Sequence, residues 1–435
     1  MARGGIPGQR SWLLAATALV VTLLHGRATA APEDVEVSWI ARQLQPAYNP
    51  SLVVYGGKYL SALKRTTFRK GKGKTFWVNH LHLCVGSLGK LEDLRCQPFN
   101  PWTEPYLECE FDTRVRGGKT DTTGLGDVKV WVWPGKGAFT IFGRKPEREP
   151  GAGQYCTSQV VYDQWLVQVR AEPSAGDWRL AAPLRLRIAG GYEYPKEATF
   201  VMEKNWMPWV YKHANGTEAL HVTHMVNPHR ILDCGPSGAC HVVAETQGRP
   251  ELFARFGNHE PHGGPPVVHV DGKLTKDGKP YYMGIMHHIE ILSGSAVQAL
   301  YGKGADGGGG GGGKKKSKGL KDKKIKLYRH FVYKFQPEPP FAITEISDEL
   351  NLTFYRHDKH ISKRFIIYVA GFHMTEDGVV RISYGSGDRA ARVMTLPLSD
   401  LEATFTGKIA FLQHDGLVAN ANGTTTAAAA GGGGR

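Results

Sequence analysis

The sequence predicts an all-β fold, a five-bladed β-propeller over residues 45–410, and three observations carry that expectation. Helical periodicity is scarce after the first thirty residues, whereas short alternating or apolar runs bounded by glycine and proline recur to the C-terminal region, the pattern of strands joined by tight turns. One unit repeats at domain scale: a polar or glycine-rich start, a short apolar strand, a turn with Gly or Asp-Gly, and a second apolar strand. Its five copies start near residues 49, 126, 203, 263 and 370, spaced by 77, 77, 60 and 107 residues, and antiparallel units repeated in this way point to blades around an axis. On periodicity alone, the competing architecture is a β-sandwich with a second β domain.

In chain order, residues 1–30 come first. Arg3 and Arg10 precede an apolar run from Trp12 to Leu24, then Ala28-Thr29-Ala30, the layout of a secretory signal peptide. The run is shorter than the roughly 20 residues that span a bilayer, so cleavage near Ala30 is expected, with an uncleaved signal-anchor as the alternative. The expected location is the secretory pathway: the ER or Golgi lumen, or outside the cell. The blades then begin at NPSLVVYGGKYLSAL (Asn49), GDVKVWVWPGKGAFTIFG (Gly126), EKNWMPWVYKHANGTEALHVTH (Glu203), GGPPVVHVDGKLTKDGKPYYMGIMHH (Gly263) and AGFHMTEDGVVRISYGSGD (Ala370). Runs such as QVVYDQWLVQVRAE (Gln159) and HFVYKFQPEPPFAITEIS (His330) supply outer strands. Residues 302–326, with seven consecutive glycines and then a lysine run, hold nothing that builds a core and are expected to form a disordered insertion in the fourth blade. The tail 420–435 is expected to be disordered.

The net charge of +14 invites a nucleic-acid reading, but its distribution argues against one. Residues 314–326 contribute +7 and the first thirty residues +3, which leaves +4 for all the rest. No nucleic-acid partner is expected. The six cysteines are even in number and routed to an oxidising compartment, so disulfides are expected, with fifteen possible pairings. Cys84 and Cys96 bracket GSLGKLEDLR, Cys234 and Cys240 bracket GPSGA, and Cys109 and Cys156 remain. No CxxC spacing occurs, so neither a metal nor a cofactor is expected. Asn215, Asn351 and Asn422 head glycosylation sequons.

In a propeller, polar residues at blade starts converge although they are far apart in sequence. The starts supply Asn49, then Asp127 and Lys129, then Glu203, Lys204 and Asn205. The ends of second strands add Lys64 and Arg65, Arg144, His224, His287, His288 and Asp388, and the NPHR run adds His229 and Arg230. An acid or two among several cations suits a sugar held by hydrogen bonds, a carboxyl group that moves a proton, and cations that hold an anionic nucleophile or leaving group. Trp131, Trp133, Trp206 and Trp209 read as blade core.

These motifs resemble the five-bladed propellers of glycoside hydrolase family 130, the β-mannoside phosphorylases and hydrolases, and the related mannosyltransferase-phosphorylases. The family's Glu-Asp-Pro-Arg segment corresponds to Gly126-Asp127-Val128-Lys129, and its Glu-Lys-Asn to Glu203-Lys204-Asn205. GGPPVVHVDG with YYMGIMHH, and Gly371 with Tyr384-Gly385-Ser386-Gly387-Asp388, resemble its later motifs. The resemblance covers residues 45–405. It implies that Asp127 is the proton donor of inverting phosphorolysis and Lys204 a phosphate ligand. It further implies that His287 or His288 contacts substrate or phosphate and that Asp388 binds sugar hydroxyls. Gly126 replaces the family's glutamate, and Lys129 keeps the charge of its arginine without the planar fork.

The resulting expectation is a glycosyl-transferring enzyme, with mannosyl the expected group, acting on a glycan or oligosaccharide with phosphate, a sugar phosphate or a nucleotide sugar. Asp127 would be its acid/base and Lys204 its anion binder. The alternative is a catalytically inactive, lectin-like propeller. Serine-hydrolase, zincin and P-loop signatures are absent from the sequence.

Overall fold

The computed structural model describes residues 32–36, 47–71, 74–102, 106–109, 122–148, 151, 153, 160, 162–171, 178–191, 203–257, 260–292, 325–353, 364–387 and 390–412. The expectations for residues 1–30, 302–324 and 420–435, and for Cys156, Asp388 and Asn422, lie outside them. The chain is all-β, and its strands fall into five largely antiparallel groups, the one parallel pairing within a described group being that of Lys326 and Leu327 with Arg364 and Phe365. After β1 (Glu33–Glu36), the first group comprises β2 (Ala47–Tyr55), β3 (Lys58–Gly71), β4 (Lys74–Ser87) and β5 (Arg95–Phe99). The second holds β6 (Thr122–Trp133), β7 (Gly137–Arg144) and β8 (Asp163–Ala171), with β9 (Trp178–Leu180) and β10 (Leu184–Ile188) both against β8.

The third group is β11 (Met207–Lys212), β12 (Glu218–Met225), β13 (His229–Cys234) and β14 (Ala239–Thr246), followed by the short helix α1 (Pro250–Phe253). In the fourth, β15 (His262–Gly263) and β16 (Val268–Val270) both pair with β17 (Tyr281–Leu292). Beyond β17 come β18 (Ile325–Phe335), β19 (Ile343–Glu349) and β20 (Arg364–Phe365). The fifth is β21 (Ile367–Met374), β22 (Val379–Ser386) and β23 (Ala390–Pro397), with β1 added beside β23 and α2 (Leu398–Glu402) after it. Parallel pairings β4–β6 and β10–β14 join the first three groups into one sheet. No sheet closes on itself among the described strands.

Local chemistry explains the hairpins. Between β2 and β3 the loop is Gly56-Gly57, both at positive φ (58° and 69°); such a two-residue turn matches the strands' twist, and glycine adopts it without strain. Alternate residues along the strands then face opposite ways. On β3, Leu60 and Ala62 join one apolar cluster and Tyr59 and Leu63 another. On β17, Met283 and Ile285 face one side, Tyr282 and Met286 the other.

Burial on both faces means each group is covered by a neighbour on either side. The five apolar clusters each lie between two groups. Val53, Leu60 and Phe99 meet Val128, Phe142 and Val167 between the first and second; Trp131, Ile141 and Leu166 meet Trp206, Leu220 and Leu232 between the second and third. Trp209 and Ile231 pack with Tyr282, Phe331 and Phe335 between the third and fourth. Met283, Ile285 and Val332 pack with Val369, Val380 and Ile382 between the fourth and fifth. Leu52, Tyr59 and Leu63 meet Ala391 and Val393 between the first and the fifth. As read from the sequence, Trp131, Trp133, Trp206 and Trp209 are core.

Candidate functional site

The starts of the first strands bring polar residues together. Asn49 lies on β2 at φ 54°, a left-handed conformation that asparagine tolerates better than most residues. Its Nδ2 donates to Asp127 Oδ1 at 3.0 Å. The β6–β7 register shifts between Leu125 and Val128, and such bulges re-aim a side chain. Val128 and Val130 face the first group's core and Trp131 the third's, while Asp127 at the bulge reaches Lys64 Nζ of β3. Burial alone would raise the Asp127 carboxyl pKa; the adjacent Lys64, Lys204 and the Asn49 amide outweigh it and hold the group well below the usual carboxylate range. Asp127 is therefore ionised at neutral pH.

Lys129, two residues on and buried, donates to the Trp206 carbonyl at 2.9 Å. That bond ties β6 to the segment Glu203–Trp206, which explains why a charged run lies beside tryptophans. Glu203 is buried because its Oε2 accepts from Trp206 Nε1 at 2.7 Å and pairs with His224 Nε2 at 2.8 Å. Its carbonyl accepts from Gln164 Nε2 of β8 at 2.8 Å. With the segment held from both sides, Lys204 lies 4.9 Å above the Tyr162 ring, close enough to act on Asp127. Asn205 takes φ 65°, and its Oδ1 accepts from Tyr368 OH of β21 at 2.7 Å.

From the fourth group comes a histidine row. His262, His287 and His330 are paired across β15, β17 and β18, with ring centroids 5.6 and 5.9 Å apart. His287 stacks on Tyr328 at 5.2 Å and meets the edge of Tyr368 at 5.9 Å. Burial, then His330, His262 and Lys129, push its pKa well down, so the ring is a neutral hydrogen-bonding group. Among the described residues no cluster of three or more His, Cys, Asp or Glu is placed to hold a metal ion.

Of the sequence candidates, Asn49, Lys64, Asp127, Lys129, Glu203, Lys204, Asn205 and His287 thus meet around one centre, with His224 behind Glu203. The others are placed elsewhere. His288 points away from His287, onto Phe256 and Phe411. His229 bonds the Phe341 carbonyl and packs on Tyr333 and Phe335. Arg230 pairs with Glu245 at 2.6 Å. Arg144 lies over the rings of Trp102 and Tyr106 beside Glu108. Arg65 faces His80 and His82, depressing the pKa of both after burial.

Tyr328, Tyr368 and His330 are the residues that sequence reading did not select, and of the strand-end pair Lys64 and Arg65 it is Lys64 that reaches Asp127. Lys64 and Arg65 are neighbours on one strand, so one faces the centre and the other does not, and alternation alone leaves the choice open. A cavity of ≈ 960 Å³ lies at the opposite ends of the first strands, lined by Val53, Trp131, Trp209, His269, Phe372 and Glu376 among others. The carboxylate with its cations is at the starts of those strands, and the chemistry is assigned there.

Cys84–Cys96 and Cys234–Cys240 are disulfides across paired strands, with Cα–Cα distances of 4.0 Å each. Cys109 is also disulfide-bonded. Asn215 and Asn351 are exposed.

No protein-family model matches the sequence, and no curated protein matches it. Solved structures similar in fold include a β-1,2-mannobiose phosphorylase from Listeria innocua (10% identity, 83% of this chain and 92% of that one, TM-score 0.45). A GDP-Man-dependent mannosyltransferase from Leishmania mexicana matches at 12% identity over 88% of this chain and 94% of that one, TM-score 0.44. A mannose phosphorylase from the same organism matches at 12% identity over 88% and 93%, TM-score 0.39. At such scores these likenesses assign no activity to the chain; what the site can do follows from its residues.

Proposed function

We propose that the chain transfers a glycosyl group, mannosyl by preference, from a phosphate-bearing donor to a sugar hydroxyl, and that the Asp127 cluster is the reacting centre. The observation that supports this is one ionised carboxylate fixed between Lys64 and Lys204 where the first strands start. An ionised carboxylate accepts a proton, so Asp127 acts as base in the synthetic direction: the acceptor hydroxyl gives up its proton as the bond from C1 to the phosphate oxygen breaks. Lys204 and Lys64 offset the charge that collects on the departing phosphate. A donor anion that draws these cations away also raises the basicity of Asp127 toward a useful range. In the reverse direction the same carboxyl, protonated, is the acid expected from the sequence.

The five strand groups are proposed as five propeller blades. Their support is the set of five apolar clusters, which link each group to the next and the fifth to the first. Asp34 of β1, bonded to Tyr384 and Arg392, would then fasten the last blade. A lumenal or extracellular location is proposed from the disulfides, which persist in oxidising compartments.

The bond between Lys64 and Asp127, which occupies the carboxylate, favours a second reading: a lectin-like glycan binder without turnover. Incubating purified protein with mannose 1-phosphate or GDP-mannose and mannosyl acceptors separates them. A new glycoside supports transfer; acceptor binding with no product supports the lectin-like reading.

A further inference from the structure

We infer that an oxyanion binds at this site together with one proton, which Lys129 takes up, so that anion binding is coupled to pH through this residue. The inference rests on the anion-binding reading above. Lys129 is 3% exposed, and its only hydrogen-bond partner among the described residues is the Trp206 carbonyl. An ammonium has three N–H bonds to place and an uncharged amine fewer, so one carbonyl partner suits the amine. The nearest acid on its own strand, Asp127, already has Oδ1 engaged by Lys64 and Asn49.

The charged and titratable groups facing this centre are Lys64 from β3, Glu203 and Lys204 from the segment before β11, His287 from β17 with His262 and His330 beside it, and Tyr368 from β21, beside Asp127 itself; the Glu203 carboxylate is engaged by Trp206 and His224. His287 is held neutral and Tyr368 protonated, both mainly by burial. Burial likewise pulls the Lys129 amine down to about 7, against the opposing pull of Asp127. An oxyanion held by Lys64 and Lys204 supplies the negative charge that burial withholds, and the proton follows. An arginine would remain charged throughout, so the lysine at this position is what permits the coupling.

The test is calorimetric titration of the full chain with sodium sulfate, which does not itself titrate, in Tris and HEPES at pH 8 and again at pH 9. Wild type is expected to take up close to one proton per sulfate, with affinity falling about tenfold per pH unit. Lys129→Arg is expected to bind sulfate with no uptake and no such slope. Sulfate binding by wild type without proton uptake overturns this inference and leaves the anion site standing. Undiminished uptake in Lys129→Arg also overturns it, by assigning the proton to another group such as His287. Failure of wild type to bind either sulfate or phosphate overturns the anion-site reading and this inference with it. The wild-type measurement is decisive even if the variant does not fold.

Discussion

Replacing Glu203 by alanine removes the acceptor of two donors at once. Trp206 Nε1 at 2.7 Å and His224 Nε2 at 2.8 Å both end on Oε2, and Trp206 is 2% exposed, so water does not readily replace the carboxylate. A buried donor left without its partner costs about 1–3 kcal/mol. Two of them, with the small cavity left by the side chain, give a loss of about 3–6 kcal/mol. Glu203→Gln keeps an acceptor oxygen and the volume, and should cost about 1–2 kcal/mol. Urea unfolding followed by tryptophan fluorescence measures both. Because the same segment carries Lys204 and Asn205 into the centre, sulfate affinity should fall with stability in the alanine variant. A loss below about 1 kcal/mol for Glu203→Ala, with sulfate binding intact, would refute the claim that this buried carboxylate organises the site.

Three further outcomes follow from the same geometry. A Cβ at Gly385 would lie 2.1 Å from Asn49 Oδ1 and 2.7 Å from its backbone nitrogen, so Gly385→Ala should displace Asn49 from Asp127 and destabilise by about 1–3 kcal/mol, measurable by thermal unfolding. The Asp127 pKa is depressed in the fold, so its stabilisation is complete above the unfolded-state value of about 4 and is lost as pH falls below it. The stability gap between wild type and Asp127→Asn should therefore narrow between pH 5 and pH 2, whereas a constant gap in acid unfolding would show that the carboxylate is not held by its cations. Replacing both Cys234 and Cys240 by serine opens a loop of sequence separation 6 and should cost about 2 kcal/mol on loop-entropy grounds, read as a lower urea midpoint.

The strand units were legible because alternation and glycine turns are local properties: each of the five repeat starts falls within four residues of the start of the first strand of a group. The disulfides Cys84–Cys96 and Cys234–Cys240 were legible for the same reason, since short turn-rich loops return the chain to itself. The site was only half legible. Asn49, Asp127 and Lys204 are marked by their place at strand starts. Tyr368, by contrast, sits in the apolar run IIYVAG and reads as core, and its role appears only when β21 faces Asn205. His229 and Arg230 look like site cations in sequence, yet a carbonyl and a cross-strand glutamate engage them. Which side a strand-end residue faces depends on bulges such as that before Val128, and no local pattern announces those.

The most direct measurement is the initial rate of mannosyl transfer by Asp127→Asn against wild type, with KM for the phosphate-bearing donor determined in both. The account predicts a fall in kcat of about 10²–10⁴-fold with donor KM changed only a few-fold, since Lys64 and Lys204 remain to hold the anion. Equal kcat in the two proteins would contradict the assignment of Asp127 as the group that accepts the proton.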